Sequence, residues 1–195
     1  NVPAYSTASV IQHTLALILE ALNQVGRHNA SVHAGDWAHS PLFAYWLEPP
    51  VELEGKTVGF IGYGDIGSGV GECVHALGAS VLAHSPSRST TPGWQPFAWA
   101  SVEEIFERCD VVSLHCPQTP GNTGFVDAAL LAKMRPGSVL INTARGGLID
   151  EEALAAALRS GKPAKAAVDV LAREPMRPDH PLLGLENCII TPHMA

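Results

Sequence analysis

From Lys56 onward the chain alternates short apolar runs with stretches of helical length, and few folds accommodate that succession. The apolar runs are Val58 to Gly62, Ser80 to Ala83, Val111 to His115, Val139 to Asn142, Ala166 to Val170 and Ile189 to Thr191, and each reads as a strand. The stretches Ile66 to Leu77, Val102 to Arg108, Asp127 to Lys133 and Asp150 to Arg159 read as the helices between them. Strands that alternate with helices cannot pair as hairpins, because each crossover returns the next strand in the same direction. The expectation is an α/β fold with a doubly wound parallel sheet.

Ahead of this core, Ser6 and Thr7 can cap a helix whose apolar positions Val10, Ile11, Leu15, Ile18, Leu19 and Leu22 recur at three and four, and it should end near Gly26. From Ala30 to Pro50, Gly35, Pro41 and Pro49 interrupt Trp37, Leu42, Phe43, Tyr45 and Trp46, which predicts a long irregular connection rich in aromatics. An exposed aromatic arm is an aggregation liability unless something covers it. A homodimer formed through residues 27–50 is favoured over packing within the chain. The division is therefore one domain over residues 1–195, made of a leading helix (1–26), an arm (27–55) and a core (56–195). Gly69 and Gly71 fall inside the first core helix, where each costs ~1 kcal/mol relative to Ala. Close packing of that helix on the sheet is the expected reason.

Gly62-Tyr63-Gly64-Asp65-Ile66-Gly67 directly follows the first strand and opens a helix, the context in which such a turn binds a dinucleotide. Gly62 permits the tight turn, Gly64 lets the backbone approach a pyrophosphate, and Gly67 allows close packing. The helix start, from Asp65 and Ile66, offers amides and a positive dipole end. This is a Rossmann-type arrangement. The second strand runs out at His84-Ser85-Pro86-Ser87-Arg88, where an NAD-binding chain usually has an acid for the ribose 2'-hydroxyl. Ser85 stands there instead, no Asp or Glu occurs between Cys73 and Val102, and Arg88 is the one Lys or Arg in that interval. A 2'-phosphate meets no repulsion and finds one guanidinium, so NADP is favoured; a solvated Arg88 beside a Ser85 that serves NAD is the other reading.

Composition removes several alternatives. Nineteen acids against twelve bases give a net charge of -7 with no basic run, which argues against a nucleic-acid partner. Cys73, Cys109, Cys116 and Cys188 are far apart without a Cys-x-x-Cys pair, so neither a zinc site nor a disulfide framework is expected. Reduced thiols suit a cytoplasmic protein. The longest apolar stretch, Thr14 to Leu22, is too short to span a bilayer, and no signal peptide is expected ahead of it. Because the chain opens at Asn1-Val2-Pro3 without Met, it is expected to start inside a longer parent.

Three further stretches complete a specific pattern: Leu140-Ile141-Asn142-Thr143-Ala144-Arg145-Gly146-Gly147, then Val168-Asp169-Val170 with Glu174-Pro175, and Thr191-Pro192-His193. With the glycine turn and His115-Cys116-Pro117, the chain resembles the D-isomer-specific 2-hydroxyacid dehydrogenases over essentially its whole length. Asn1 to Thr7 and Gln12-His13-Thr14 are most similar to the glycerate dehydrogenase or hydroxypyruvate reductase branch. The resemblance implies a crevice between two domains in which Arg145, Glu174 and His193 react. It also implies that Asp169 lies near the nicotinamide and that Pro117, Asn122, Thr143 and Ala144 line the cofactor cleft, with Arg145 and His193 bordering it. Asp169 could equally cap amides at a strand end, and His115 is either a cofactor contact or a satisfied core histidine.

The implied chemistry asks for these residue types. When hydride reaches the carbonyl carbon of a 2-oxo acid, the oxygen needs a proton that a histidine such as His193 can give. Glu174, hydrogen-bonded to that imidazole, would favour its charged form and fix its orientation. Arg145 offers a planar fork for the substrate carboxylate and can polarise the carbonyl. The expected substrate is hydroxypyruvate or glyoxylate, with D-lactate second. Family members build a substrate domain from segments flanking this region, so this chain by itself is expected to bind nucleotide but turn over little. The alternative function is an NAD(H)-sensing, corepressor-like binding module without turnover.

Overall fold

Helix α1 (Thr7–Asn23) forms where Val10, Thr14, Leu17, Ile18, Ala21 and Leu22 share one buried face. The computed structural model describes residues 7–88 and 91–195; Ser6, the proposed cap, lies outside them. α1 stops at Asn23 and not near Gly26, because Gln24 takes a left-handed backbone (φ 52°). A second helix, α2 (Val25–His33), follows at once. Glu20 accepts the Gly26 amide at 3.0 Å, satisfying a donor that the new helix start leaves without an intrahelical partner. The irregular arm thus begins at Ala34, four residues later than the residue pattern suggests.

The core elements are β1 (Thr57–Ile61), α3 (Asp65–Ala76), β2 (Ser80–His84), β3 (Phe97–Trp99), α4 (Val102–Arg108), β4 (Val111–Leu114), α5 (Ala128–Lys133), β5 (Val139–Asn142), a 3-10 turn (Gly146–Leu148), α6 (Glu151–Ser160), β6 (Lys165–Val168) and β7 (Cys188–Ile190). All seven strands are parallel, in the order β3-β2-β1-β4-β5-β6-β7. Asp127 and Asp150, expected as first helical residues, are N-caps that accept the amides of Leu130 (2.8 Å) and Ala153 (3.0 Å). Ser101 and Glu104 close a reciprocal capping box on α4. β3 escapes a reading by pattern: it is three residues long, pairs with β2 alone, and looks like an aromatic loop.

Two apolar layers hold the sheet. On one face α1 and α3 bury Ile18, Ala21, Val70 and Val74 against Phe60, Val81 and Ile141. On the other α4, α5 and α6 bury Ile105, Leu131, Leu154 and Leu158 against Val112, Leu140 and Ala166. The two in-helix glycines have a different packing reason from the one expected. A Cβ on Gly69 would lie 2.4 Å from Ile11 of α1, and one on Gly71 would lie 2.5 Å from the Tyr63 hydroxyl. Both sites set how closely α3 approaches its neighbours.

The arm folds back on α2 through polar contacts and leaves its apolar side chains outside. Ser31 bonds Tyr45 at 2.8 Å, His28 accepts the Leu47 amide at 3.0 Å, and Glu48 reaches Gln24 (2.6 Å) and Lys165 (2.7 Å). Phe43 is 95% exposed, with Trp37, Leu42 and Trp46 also outside. Among the described residues no helix is long and apolar enough to cross a membrane.

Candidate active site

Strand register decides the site. Ile61 is level with His84 and Leu114, Leu114 with Asn142, Asn142 with Val168, and Val168 with Ile190. The residues that follow these six are Gly62, Ser85, His115, Thr143, Asp169 and Thr191, so the polar motifs leave one edge of the sheet together. The chain runs outward from β1 to β2 and β3, then returns to the far side of β1 with β4. That reversal opens a crevice at the carboxyl ends, where such sheets hold ligands.

The glycine turn is built for close approach. Gly62 has φ +96°, and a Cβ there would lie 2.6 Å from the Cys116 nitrogen. A Cβ on Gly67 would lie 2.4 Å from the Gly62 carbonyl oxygen, so α3 starts directly on the turn. A Cβ on Gly64 would meet nothing within 4 Å. Gly64 is therefore free of packing constraint within the chain, and the open space beside it is what a pyrophosphate would need. Asp65 is exposed at the first position of α3, and Ile66 packs on the core. The amides of this first turn face no intrahelical acceptor, so the residues present fit a dinucleotide.

At the adenosine end, Ser85 follows β2 with its hydroxyl 3.3 Å from Ser87. The Arg88 guanidinium stands 5.9 Å over the Trp99 ring, and Trp99 also donates to Thr91 at 3.2 Å. Trp99, on the strand the residue pattern misses, braces both sides of this loop. His115 turns its ring inward: Nε2 is 2.8 Å from the Ser113 hydroxyl, the ring stacks on Phe60, and burial pushes its pKa down to about 4. It has the surroundings of a satisfied, neutral core histidine. Nearby, Asn122 donates to the Pro117 carbonyl at 2.9 Å and accepts the Thr119 amide at 2.6 Å, fixing the β4 loop on the cleft edge.

Glu174 and His193 meet directly, Oε2 to Nδ1 at 2.6 Å. The other Glu174 oxygen accepts the Leu171 amide at 2.9 Å. Partial burial raises the Glu174 carboxyl, but the bonds from His193 and Leu171 outweigh it and hold the group below its ordinary value. The pair borders a cavity of about 390 Å³ whose walls include Leu171, Pro175, Met176, Ile190 and Pro192. His193 itself has φ 53°, a left-handed backbone that a non-glycine residue adopts at a cost. Its amide donates to the Asp169 carbonyl at 2.8 Å and the Thr191 carbonyl at 3.0 Å.

Arg145 lies three residues beyond β5 on a turn stapled by buried Asn142, which donates to the Arg145 carbonyl (2.9 Å) and accepts the Ala144 amide (3.0 Å). Its guanidinium donates to the Ala144 carbonyl at 2.6 Å. Gly146 presses this turn onto the loop that leads to Glu174: a Cβ there would overlap the Leu171 carbonyl carbon at 1.8 Å. Thr143 is buried and bonded to Thr14 of α1 at 2.8 Å. Asp169 is 1% exposed and accepts the amides of Met194 (3.1 Å) and Ala195 (3.0 Å), as the amide-capping reading has it. The structure thus joins Glu174, His193 and Asp169 by direct contacts and sets Arg145 on the neighbouring turn. His13, Thr14 and Thr191 also join this network, although the residue patterns that contain them assign them no role in the site. The polar Thr14 in the middle of an otherwise apolar helix face is the signal that could have revealed the docking of α1.

A profile described as "D-isomer specific 2-hydroxyacid dehydrogenase, NAD binding domain" matches residues 15–195. The chain is 44% identical, over its full length, to a hydroxypyruvate reductase of Blautia hydrogenotrophica, of which it spans 61%. Among solved structures it is similar to the TT0316 protein of Thermus thermophilus, with a TM-score of 0.87 and 38% identity over 99% of this chain and 60% of that one. It is also similar to an acyclic imino acid reductase in complex with NADPH and D-Arg, with a TM-score of 0.86 and 30% identity over 98% of this chain and 59% of that one.

Proposed function

The chain belongs to the D-isomer specific 2-hydroxyacid dehydrogenase family through its NAD-binding domain, and from that membership we propose that it serves hydride transfer between a nicotinamide dinucleotide and a small 2-oxo or 2-hydroxy acid, hydroxypyruvate or glyoxylate first. The observation that carries the reading is the 2.6 Å bond between Glu174 and His193 at the carboxyl edge of the sheet, the same edge from which the glycine turn leaves β1. A pure binding module has no need of a carboxylate–imidazole pair bordering a cavity.

In the direction of reduction, a bound reduced nicotinamide supplies the hydride to the carbonyl carbon. The chain's residues do the rest. His193, with Nδ1 committed to Glu174, gives the proton on Nε2 to the carbonyl oxygen, and the product is the 2-hydroxy acid. Glu174 stabilises the imidazolium before transfer and keeps the ring from turning away. Arg145 binds the substrate carboxylate and draws electron density from the carbonyl as charge gathers on its oxygen. Asp169, Thr143, Ala144, Pro117 and Asn122 shape the cleft, and Gly62, Gly64, Asp65, Ile66 and Gly67 hold the pyrophosphate through backbone.

NADP is the favoured coenzyme. Ser85 sets no carboxylate against a 2'-phosphate, Arg88, three residues further on, is braced on Trp99, and one structural relative was solved with NADPH. The exposed Trp37, Leu42, Phe43 and Trp46 support a homodimer through the arm, and four unpaired thiols support a cytoplasmic setting. The test is fluorescence titration of the whole protein that carries these residues with NADPH and NADH, then addition of hydroxypyruvate while the reduced nicotinamide absorbance is followed. Nucleotide binding and turnover that His193→Ala abolishes, with binding retained, are expected. Turnover undiminished in His193→Ala would overturn the assignment.

A further inference from the structure

Asp169 holds the loop that carries His193 by both of its ends. Its carbonyl accepts the His193 amide at 2.8 Å. Its buried carboxylate accepts the Thr191 hydroxyl at 2.5 Å, the Met194 amide at 3.1 Å and the Ala195 amide at 3.0 Å. One more donor faces it from outside the loop: His13 of α1, whose Nε2 is 3.3 Å from Asp169 Oδ1 and 3.1 Å from the Thr191 hydroxyl oxygen. The Thr191 proton goes to Asp169, so the Thr191 oxygen can only accept from His13. Nε2 therefore carries a hydrogen, which bonds Thr191 and lies within ion-pair distance of the Asp169 carboxylate.

The next residue secures the helix that carries it. Thr14 bonds Thr143 at 2.8 Å in the core, so α1 is fastened at the ends of β5 and of β6 by adjacent side chains. The loop needs such restraint. His193 has a left-handed backbone, and a buried carboxylate that loses a donor seeks another by moving. Any movement of Asp169 is transmitted to the His193 amide one bond away.

We propose that His13 is a positioning residue for proton transfer at His193, acting through Asp169 and Thr191. The proposal rests on His193 being the proton donor. His13→Leu and His13→Gln in the whole protein test it, since the glutamine Nε2 can replace the imidazole donor. His13→Leu is expected to lower kcat about tenfold, the effect of losing the bond to Thr191 together with the charge contact to Asp169, with nucleotide affinity and substrate KM nearly unchanged. The His193 ring resonances should shift and the His193 and Met194 amides exchange faster, whereas His13→Gln should stay close to the parent in each respect. Unchanged kcat and unchanged His193 resonances in His13→Leu would overturn the proposal. So would a rise in KM alone, or equal losses in the leucine and glutamine variants, which mark a merely structural role. Retained turnover in His193→Ala would instead refute the proton assignment, and the resonances and amide exchange would still decide whether His13 holds the loop.

Discussion

Alanine at Gly64 and alanine at Gly67 should have opposite balances of effect on stability and on nucleotide binding. At Gly67 the new methyl carbon would lie 2.4 Å from the Gly62 carbonyl oxygen. Carbon–oxygen contacts settle at roughly 3.3 Å or more, so α3 and the turn must separate by ~0.9 Å. Backbone stands on both sides, which places the cost near the top of the ~1–3 kcal/mol range for overpacking. Better helix propensity returns up to ~1 kcal/mol. A net loss of ~2 kcal/mol lowers Tm by roughly 4–8 °C in a domain of this size. At Gly64, by contrast, the methyl meets nothing within 4 Å and φ is -90°, open to any residue. The loss there is the small N-cap difference between Gly and Ala, under ~1 kcal/mol. Yet that methyl fills the space through which the backbone approaches a pyrophosphate, and nucleotide affinity should fall about tenfold or more, ~1.4 kcal/mol. Thermal unfolding and fluorescence titration with NADPH and NADH, run on both variants, read the two effects separately. Parent-like nucleotide affinity in Gly64→Ala would refute the assignment of that open space, and an unchanged Tm in Gly67→Ala would refute the packing argument.

Three other outcomes follow from the site. Arg88→Ala should weaken NADPH about tenfold or more and leave NADH nearly unaffected, by titration; equal loss for both would remove Arg88 from coenzyme selection. The Glu174 carboxyl, lowered by His193 and Leu171 despite its partial burial, should titrate below 4.5 by carbon NMR, so its contribution to the native state is intact above pH 4.5 and fades as pH falls through the lowered value. A midpoint above 4.5 would contradict the bond to His193. His115, pushed by burial to about 4 from 6.5, binds its proton later in the folded than in the unfolded chain. Stability should therefore rise with pH between about 4 and 6.5, and the slope of Tm in that window should lessen in His115→Gln.

Most of the core was legible because its signals are local. Apolar runs of strand length, helix starts at Asp127 and Asp150, and a glycine turn behind a strand each depend on a few neighbouring residues. The side chains proposed for chemistry were legible as types: Arg145, Glu174 and His193 stand in motifs that make sense for transferring a proton and binding a carboxylate. Their mutual geometry was not. Glu174 and His193 are nineteen residues apart, and the register of β6 against β7 is what lets them touch.

Other features depend on distant partners and leave little local trace. β3 exists because β2 offers a free edge to three residues that carry no strand pattern of their own. The restart of the helix at Val25 depends on one left-handed residue, Gln24, for which no glycine gives warning. His13 reads as an ordinary helical residue until α1 docks on the strand ends and brings it to a carboxylate 156 positions away. Periodicity fixes which residues are buried, because burial follows from the repeat of the helix or strand. Only tertiary packing fixes which polar groups meet across elements, because the energy of such a meeting belongs to neither segment alone.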